Sequence, residues 1–232
     1  MKLSEVMKEL EANGTAQNRK VYARHGVKGE QFGVSYANLY KMQKKLKGNQ
    51  SLAEELWATD NHDARILATL IADPIAMKVS VLDKWVKDVD NYGTSLAVAL
   101  VVAKTIVAWK RVEKWTKAKN PWIATVGWDT LTNLAGTDEE ASDDDFAPYL
   151  TRIESDIHSS PNRVKHSMNG ALIAIGCRNV ALEKQALAVA KKIGKVEVDH
   201  GETSCKTPDA ASYIQKVKAR KETKKKTAKS KK

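Results

Sequence analysis

Histidine and cysteine are weighed first, because imidazole and thiolate carry most metal and nucleophilic chemistry. His25, His62, His158, His166 and His200 show no H-x-x-x-H spacing, and Cys177 and Cys205 make no C-x-x-C pair. The pattern of a zinc site is therefore missing, and no metal or cofactor is expected. His200 and Cys205 share HGETSC, but two ligands are an incomplete set, and Asp199, Gly201 and Ser204 suit a turn. Neither G-x-x-x-x-G-K-[ST] nor G-x-S-x-G occurs, and no strand leads into a G-x-G-x-x-G. Gly26 and Gly29 flank Lys28 in ARHGVKGEQFGV, a loop that either turns backbone amides toward a phosphate or simply joins two helices.

Charge is more informative. Asp138, Glu139, Glu140, Asp143, Asp144 and Asp145 resemble a metal cluster at first sight. Ser142 is a good N-cap, however, and carboxylates in a first helical turn gain about 0.3–1 kcal/mol each from the macrodipole. The run also lacks the glycine and closing glutamate of an EF-hand. Residues 101–120 hold Lys104, Lys110, Arg111, Lys114, Lys117 and Lys119 against Glu113, a local +5, with Trp109, Trp115 and then Trp122 interleaved. Residues 1–50 add a local +6 that includes Lys41, Lys44, Lys45 and Lys47. Such clusters suit a phosphate backbone with aromatics to stack or line a groove, and equally a solvated helix face over buried tryptophans.

The elements that must position these groups read as helices. Leu39, Met42 and Leu46 follow one face behind Ser35, and Ser51 with Glu54 has the spacing of a capping box. A helix starts near Asn61, buries Ile66, Leu67, Leu70 and Ile71, and stops at Asp73-Pro74. Leu82, Trp85, Val86 and Val89 form another stripe, as do Phe146, Tyr149, Leu150 and Ile153. Residues 96–109 read as one buried helix despite Lys104. Pro161 opens a helix striped by Val164, Met168, Leu172 and Ile175. Leu182, Ala186, Val189 and Ile193 precede the stop at Gly194, and Thr207-Pro208-Asp209 opens a last helix. Residues 195–200 are a short extended segment or a loop. The expectation is an all-α chain of ten or more short helices with brief links, compatible with a solenoid of helical hairpins.

Of the formal net charge of +11, residues 216–232 supply +9, with ten lysines and arginines against Glu222 alone. KETKKKTAKSKK has no apolar residue beyond alanine, so the segment is expected to be a disordered basic tail behind a single domain over residues 1–215. A chain of 232 residues is long enough for a core without staples. The lack of an 18-residue apolar stretch, of a secretory-type start and of a cysteine framework points to a cytoplasmic protein with no membrane contact.

Three segments carry a family resemblance. YARHGVKGEQFGVSYANLYKMQKKL, LAEELWATDNHDARILATLIADP and LDKWVKDVDN together resemble the DNA-alkylation-repair proteins built from HEAT-like repeats, the alkylpurine DNA glycosylase (AlkD) superfamily. The matching features are F-G-V at 32–34, Leu56-Trp57, the H-[ED]-x-R step of His62, Asp63 and Arg65, and D-x-W at Asp83 and Trp85. The resemblance implies a curved HEAT-like helical solenoid whose concave, basic face cradles duplex DNA. It further implies a cleft tryptophan with an aspartate one turn later, which stabilises the oxocarbenium-like sugar as an alkylated base departs, and an arginine and second tryptophan from later helices.

In this chain those positions fall on Tyr92 and Leu96, near Ala124 or Thr125, and near Gly170. A leucine cannot stabilise positive charge, and Asp88 or Asp90 can replace the aspartate only in another register. The expectation is therefore a DNA-binding HEAT-like repeat protein with weak or absent glycosylase activity. Its expected DNA contacts are Tyr92, Lys41, Lys44, Lys45, Lys104, Lys110, Arg111, Lys117 and Lys119, and a monomer is favoured. The other reading is a helical-repeat scaffold for a protein partner.

Overall fold

The computed structural model describes residues 1–229 and contains, among them, thirteen α-helices and a single isolated β-bridge, Gly14 with Val34. The all-α expectation holds. The described residues form two compact units: residues 1–130 with 200–204, and residues 131–199 with 205–229. No described helix is long and apolar enough to cross a membrane.

In the first unit, α1 (Leu3–Ala12), α3 (Tyr36–Leu46), α4 (Gln50–Ala58), α5 (His62–Ile71), α6 (Val79–Lys87), α7 (Tyr92–Val102) and α8 (Ala108–Trp115) surround one core, to which α2 (Ala16–Arg24) adds no buried residue. Polar side chains set most starts. Thr15, Ser35, Asn61 and Asn91 each accept an amide of the following turn. At α4 the cap is Asn49, which accepts the Leu52 amide, and Ser51 lies inside the helix. The apolar run 96–109 is two helices, α7 and α8, divided at 103–107. Thr105 bonds back to the Val102 carbonyl at 2.8 Å and Lys104 reaches solvent, which ends α7 early.

Helix α5 is the centre of this unit. Trp57 of α4 stacks on Trp85 of α6 with ring centroids 4.4 Å apart, and its indole N–H donates to Asp88 at 2.9 Å. The Arg65 guanidinium lies 5.1 Å from the Trp57 ring and pairs with Asp60 at 2.7 Å. Asp63 is fully buried and accepts three successive backbone amides, from Phe32 at 2.6 Å, Gly33 at 2.9 Å and Val34 at 2.8 Å. Gly33 has φ +79, and a Cβ there would meet the Thr15 carbonyl at 2.5 Å, so only glycine fits.

The boundary between the units falls within α9 (Pro121–Thr137). The second unit continues with α10 (Asp143–Asp156), α11 (Asn162–Gly176), α12 (Val180–Ile193) and α13 (Ala210–Lys229). Ser142 caps α10 and donates its backbone N–H and its hydroxyl to Asp145, each at 2.8 Å, so the acidic run opens a helix as the cap reading expects. Those two bonds hold the Asp145 carboxyl below its ordinary range. The tail expected to be disordered continues α13 as far as Lys229, while residues 230–232 lie outside the described residues. Ile214 is buried and Val217 half-buried, Lys218 pairs with Glu183 at 2.9 Å, and Lys221 donates to the Cys177 carbonyl at 2.7 Å. Two apolar anchors spaced by three, followed by lysines and alanines of good helix propensity, are enough to extend the helix.

Replacing Asp63 by alanine leaves three amides, two of them in buried bonds, without an acceptor. The expected loss of stability is about 3 kcal/mol or more, read from the urea midpoint. An unchanged midpoint would remove Asp63 from its organising role.

Candidate nucleic-acid interface

The starts of α5 and α7 lie together. A Cβ placed on Gly93 would come 3.1 Å from His62 Cε1, and the His62 ring meets Tyr22 edge-on at 5.4 Å. Tyr22 donates its hydroxyl to the Val34 carbonyl at 2.6 Å. Burial, then the Asp63 carboxylate, push its phenol up to about 12. Burial also lowers the His62 pKa from its ordinary 6.5, against the opposing pull of Asp63 and Asp90. This end of the unit gathers Asp60, Asp63, Asp88, Asp90 and the His62 ring, with Lys84 and Lys87 exposed in the last turn of α6 beside them.

The residues expected at the family's cleft positions lie on α7, α9 and α11. Tyr92 is the half-buried first residue of α7, and Leu96 sits one turn on, also half-buried. Asp88 is committed to the Trp57 indole, and its carbonyl accepts from Arg65 at 3.4 Å. Asp90 is exposed and accepts the Asn91 amide at 2.8 Å. Ala124 and Thr125 are buried in α9, and Gly170 lies in α11 with Thr132 as its near neighbour. Sequence reading missed Asp129, which is 5% exposed and accepts the Ser95 hydroxyl at 3.0 Å. It joins α9 to α7 from inside the packing, and no spacing rule links residues 34 positions apart.

Lysines gather at the opposite end. Helices α5 and α7 pack start beside start, so they run the same way and finish together. Helix α3 ends there too, because Gln43 Nε2 donates to the Leu70 carbonyl at 2.9 Å and the Gly48 amide to the Ile71 carbonyl at 2.8 Å. Lys44, Lys45 and Lys47 at the close of α3, Lys78 before α6, and Lys104 and Lys110 around the α7–α8 turn are all exposed on this end. Lys45 pairs with Glu9 at 3.3 Å, a surface contact of little strength that leaves its charge open to solvent.

The remaining expected contacts divide. Lys41 is exposed one turn back on α3, bonded to Asn38 at 3.3 Å. Lys117, paired with Glu113 at 3.4 Å, and Lys119 lie beyond the far end of α8. Tyr92 stands at the other end of α7, an 11-residue helix about 16 Å long, and so is apart from Lys104. Arg111 is turned inward, its side chain 12% exposed, 3.5 Å from Asp83 and over the Trp115 ring. Trp57, Trp85, Trp115 and Trp128 are all buried, whereas Trp109 and Trp122 are half-buried.

Paired helices with stacked, parallel inner members define a helical-repeat protein of the HEAT-like class. The chain belongs to the DNA alkylation repair enzyme family, whose model matches residues 6–214. Among curated proteins it is 30% identical over 218 residues to the uncharacterized protein Lin0241 of Listeria innocua, covering 91% of this chain and 95% of that one. It is 29% identical over 218 residues to the uncharacterized protein Lmo0209 of Listeria monocytogenes, with the same coverage of 91% and 95%. A solved structure with TM-score 0.88 and 34% identity, covering 95% of each chain, is described as "a new family of proteins related to the HEAT-like repeat DNA glycosylases with affinity for branched DNA structures".

The neutral, buried His62 has a pH consequence. Its folded pKa is lowered from 6.5, so the unfolded state takes up the proton first. The contribution of a neutral His62 is fully present above that value and is lost as pH falls below it. Wild type should therefore lose more stability between about pH 7 and 5 than His62→Gln, in paired urea titrations.

Proposed function

We propose that this protein binds branched DNA through the lysine-rich end of its first unit and that its glycosylase activity is weak or absent. The reading is carried by the shared fold, with the resemblance's assignment of residue 96 beside it. The fold is shared over 95% of the chain with a protein described as having affinity for branched DNA structures, and the resemblance puts Leu96 where the family's aspartate is expected. The neighbouring carboxylates do not substitute for it, because Asp88 holds Trp57, Asp129 is buried, and Asp90 is bonded to Asn91. A departing cationic base needs a carboxylate within contact range of the sugar to lower its barrier.

Lysine ammonium groups are point charges, suited to phosphates rather than to base edges. Such a surface binds with little sequence preference and responds strongly to salt. Five phosphate contacts, from Lys44, Lys47, Lys78, Lys104 and Lys110, correspond to a log–log salt slope of about −4 to −5. The basic segment 216–232 has a smaller part, since Lys218 and Lys221 already hold α13 in place.

The proposal is tested by anisotropy binding to a three-way junction and to the matching duplex from about 50 to 200 mM salt, beside an assay for release of methylated purine. Tighter junction binding with the stated slope and no base release is the expected result. Lys78→Ala with Lys104→Ala should reduce the slope by about two. Base release at rates typical of a glycosylase, or equal affinity for both DNAs, would refute the proposal.

A further inference from the structure

Two isoleucines stand almost wholly in solvent where turns ordinarily carry polar residues. Ile75 is 92% exposed in the α5–α6 turn and Ile106 is 101% exposed in the α7–α8 turn. A single exposed isoleucine is ordinary. These two occupy corresponding turns of successive helix pairs, at the one end where α3, α5 and α7 finish. Helices in contact lie about 8–10 Å apart, so the turns are separated by about 10 Å, or roughly three base steps.

Both turns are braced. Asp73 Oδ1 accepts the Ile75 amide at 2.9 Å and the Ala76 amide at 3.4 Å, behind a fixed Pro74. In the second turn, Thr105 bonds back to the Val102 carbonyl at 2.8 Å and the Ala108 amide to the Thr105 carbonyl at 3.2 Å. An apolar side chain held out on a braced turn loses little conformational freedom when it binds. The surroundings are cationic: Lys47, Lys78, Lys104 and Lys110 are exposed, and Asp73, the one acid in segments 44–50, 72–78 and 103–110, is turned onto its own amides. Apolar tips set among lysines fit a partner with apolar faces edged by phosphates, which is what an interrupted base stack offers.

We infer that Ile75 and Ile106 are wedges that pack against the open base stack at a DNA branch point, while the lysines beside them hold the phosphates of the arms. The inference rests on the DNA-binding reading above and adds how a branch is told from a continuous duplex. In a duplex the bases are stacked and the tips find no apolar face. At a branch the terminal pairs are already unstacked, so the cost of opening a step is largely absent and the contact is net favourable.

The decisive experiment compares wild type with Ile75→Ala/Ile106→Ala and with Lys78→Ala/Lys104→Ala. The probes are a three-way junction carrying 2-aminopurine at the branch and a duplex carrying it internally. Both isoleucines are exposed, so the alanine pair should fold like wild type, checked by its thermal midpoint. Wild type should raise the junction's 2-aminopurine fluorescence. The isoleucine pair should lose that rise and roughly tenfold in junction affinity, the order expected when two side chains lose apolar contact, with duplex affinity unchanged. The lysine pair should weaken both DNAs alike. An isoleucine pair that keeps both the fluorescence rise and the junction preference overturns the wedge and leaves branched-DNA binding standing. A wild type without junction preference overturns both.

Discussion

The Asp63 carboxylate, enclosed in the first unit and bonded to three consecutive amides of the 32–34 segment, is the contact on which the N-terminal helices depend. It sits in the first turn of α5, where the helix macrodipole favours negative charge, and Asn61 caps the same turn through the Asp63 and Ala64 amides. The carboxylate replaces its lost water with donors on both oxygens, so burial is tolerated without a cationic partner. One side chain thereby fixes the link that precedes α3 against the start of α5. Through Gly33, whose carbonyl accepts the Thr15 amide at 3.0 Å, it fixes the entry into α2 as well. His62, Tyr22 and Gly93 pack around the same point, so the start of α7 inherits its position from that anchor.

This anchor also separates the charges of the unit. The starts of α5 and α7 gather Asp60, Asp63, Asp88 and Asp90, all within reach of helix N-termini or of the Trp57–Arg65 pair. The helices then run away from that end, and the lysines gathered at the other end come from the close of α3, the links that follow α5 and α7, and the start of α8, since neither α5 nor α7 carries a basic residue in its last turn. An anion approaching the lysine-rich end is screened from the carboxylates of the far end, about 16 Å away against a Debye length of about 8 Å at physiological salt, and meets Glu9 beside Lys45. Only Lys44 and Lys45 of α3 stand in a last helical turn, whereas Lys78 caps the start of α6 and Lys110 lies in the first turn of α8, so the basic surface comes from the turns that gather there and not from helix dipoles.

How much of this is legible in the sequence depends on the range of the interaction. Helices α5, α6 and α12 are readable because caps and stripes act over three or four residues: Asn61, the Leu82–Trp85–Val86 stripe and Gly194 each lie where the spacing puts them. Ser51 misleads because Asn49, two residues earlier, is an equally good acceptor and captures the amide. Residues 96–109 look like one helix because composition is blind to where a backbone carbonyl takes a threonine hydroxyl. The tail looks disordered because its anchors, Ile214 and Val217, precede or open the lysine-rich stretch. Within the candidate interface, the lysines of α3 and those that follow α7 are visible as clusters, but their meeting at one end needs the parallel packing of α5 and α7. Arg111 reads as one of them because its Asp83 partner is distant in sequence.

The motif residues that mark the family are those least available for chemistry. The F-G-V segment donates to Asp63, Trp57 and Trp85 stack on each other, and Arg65 braces Asp60 and Trp57. All of them are consumed in building the frame, so carrying the complete set places no constraint on which residue stands at a reacting position. Shared fold with altered chemistry is the expected outcome when scaffold and catalytic groups occupy different residues. The bonds of Asp63, Trp57 and Arg65 do not involve residue 96, so the proposed reading of Leu96 leaves the frame untouched. The frame therefore stands independently of glycosylase chemistry, and what it continues to present is its charge pattern.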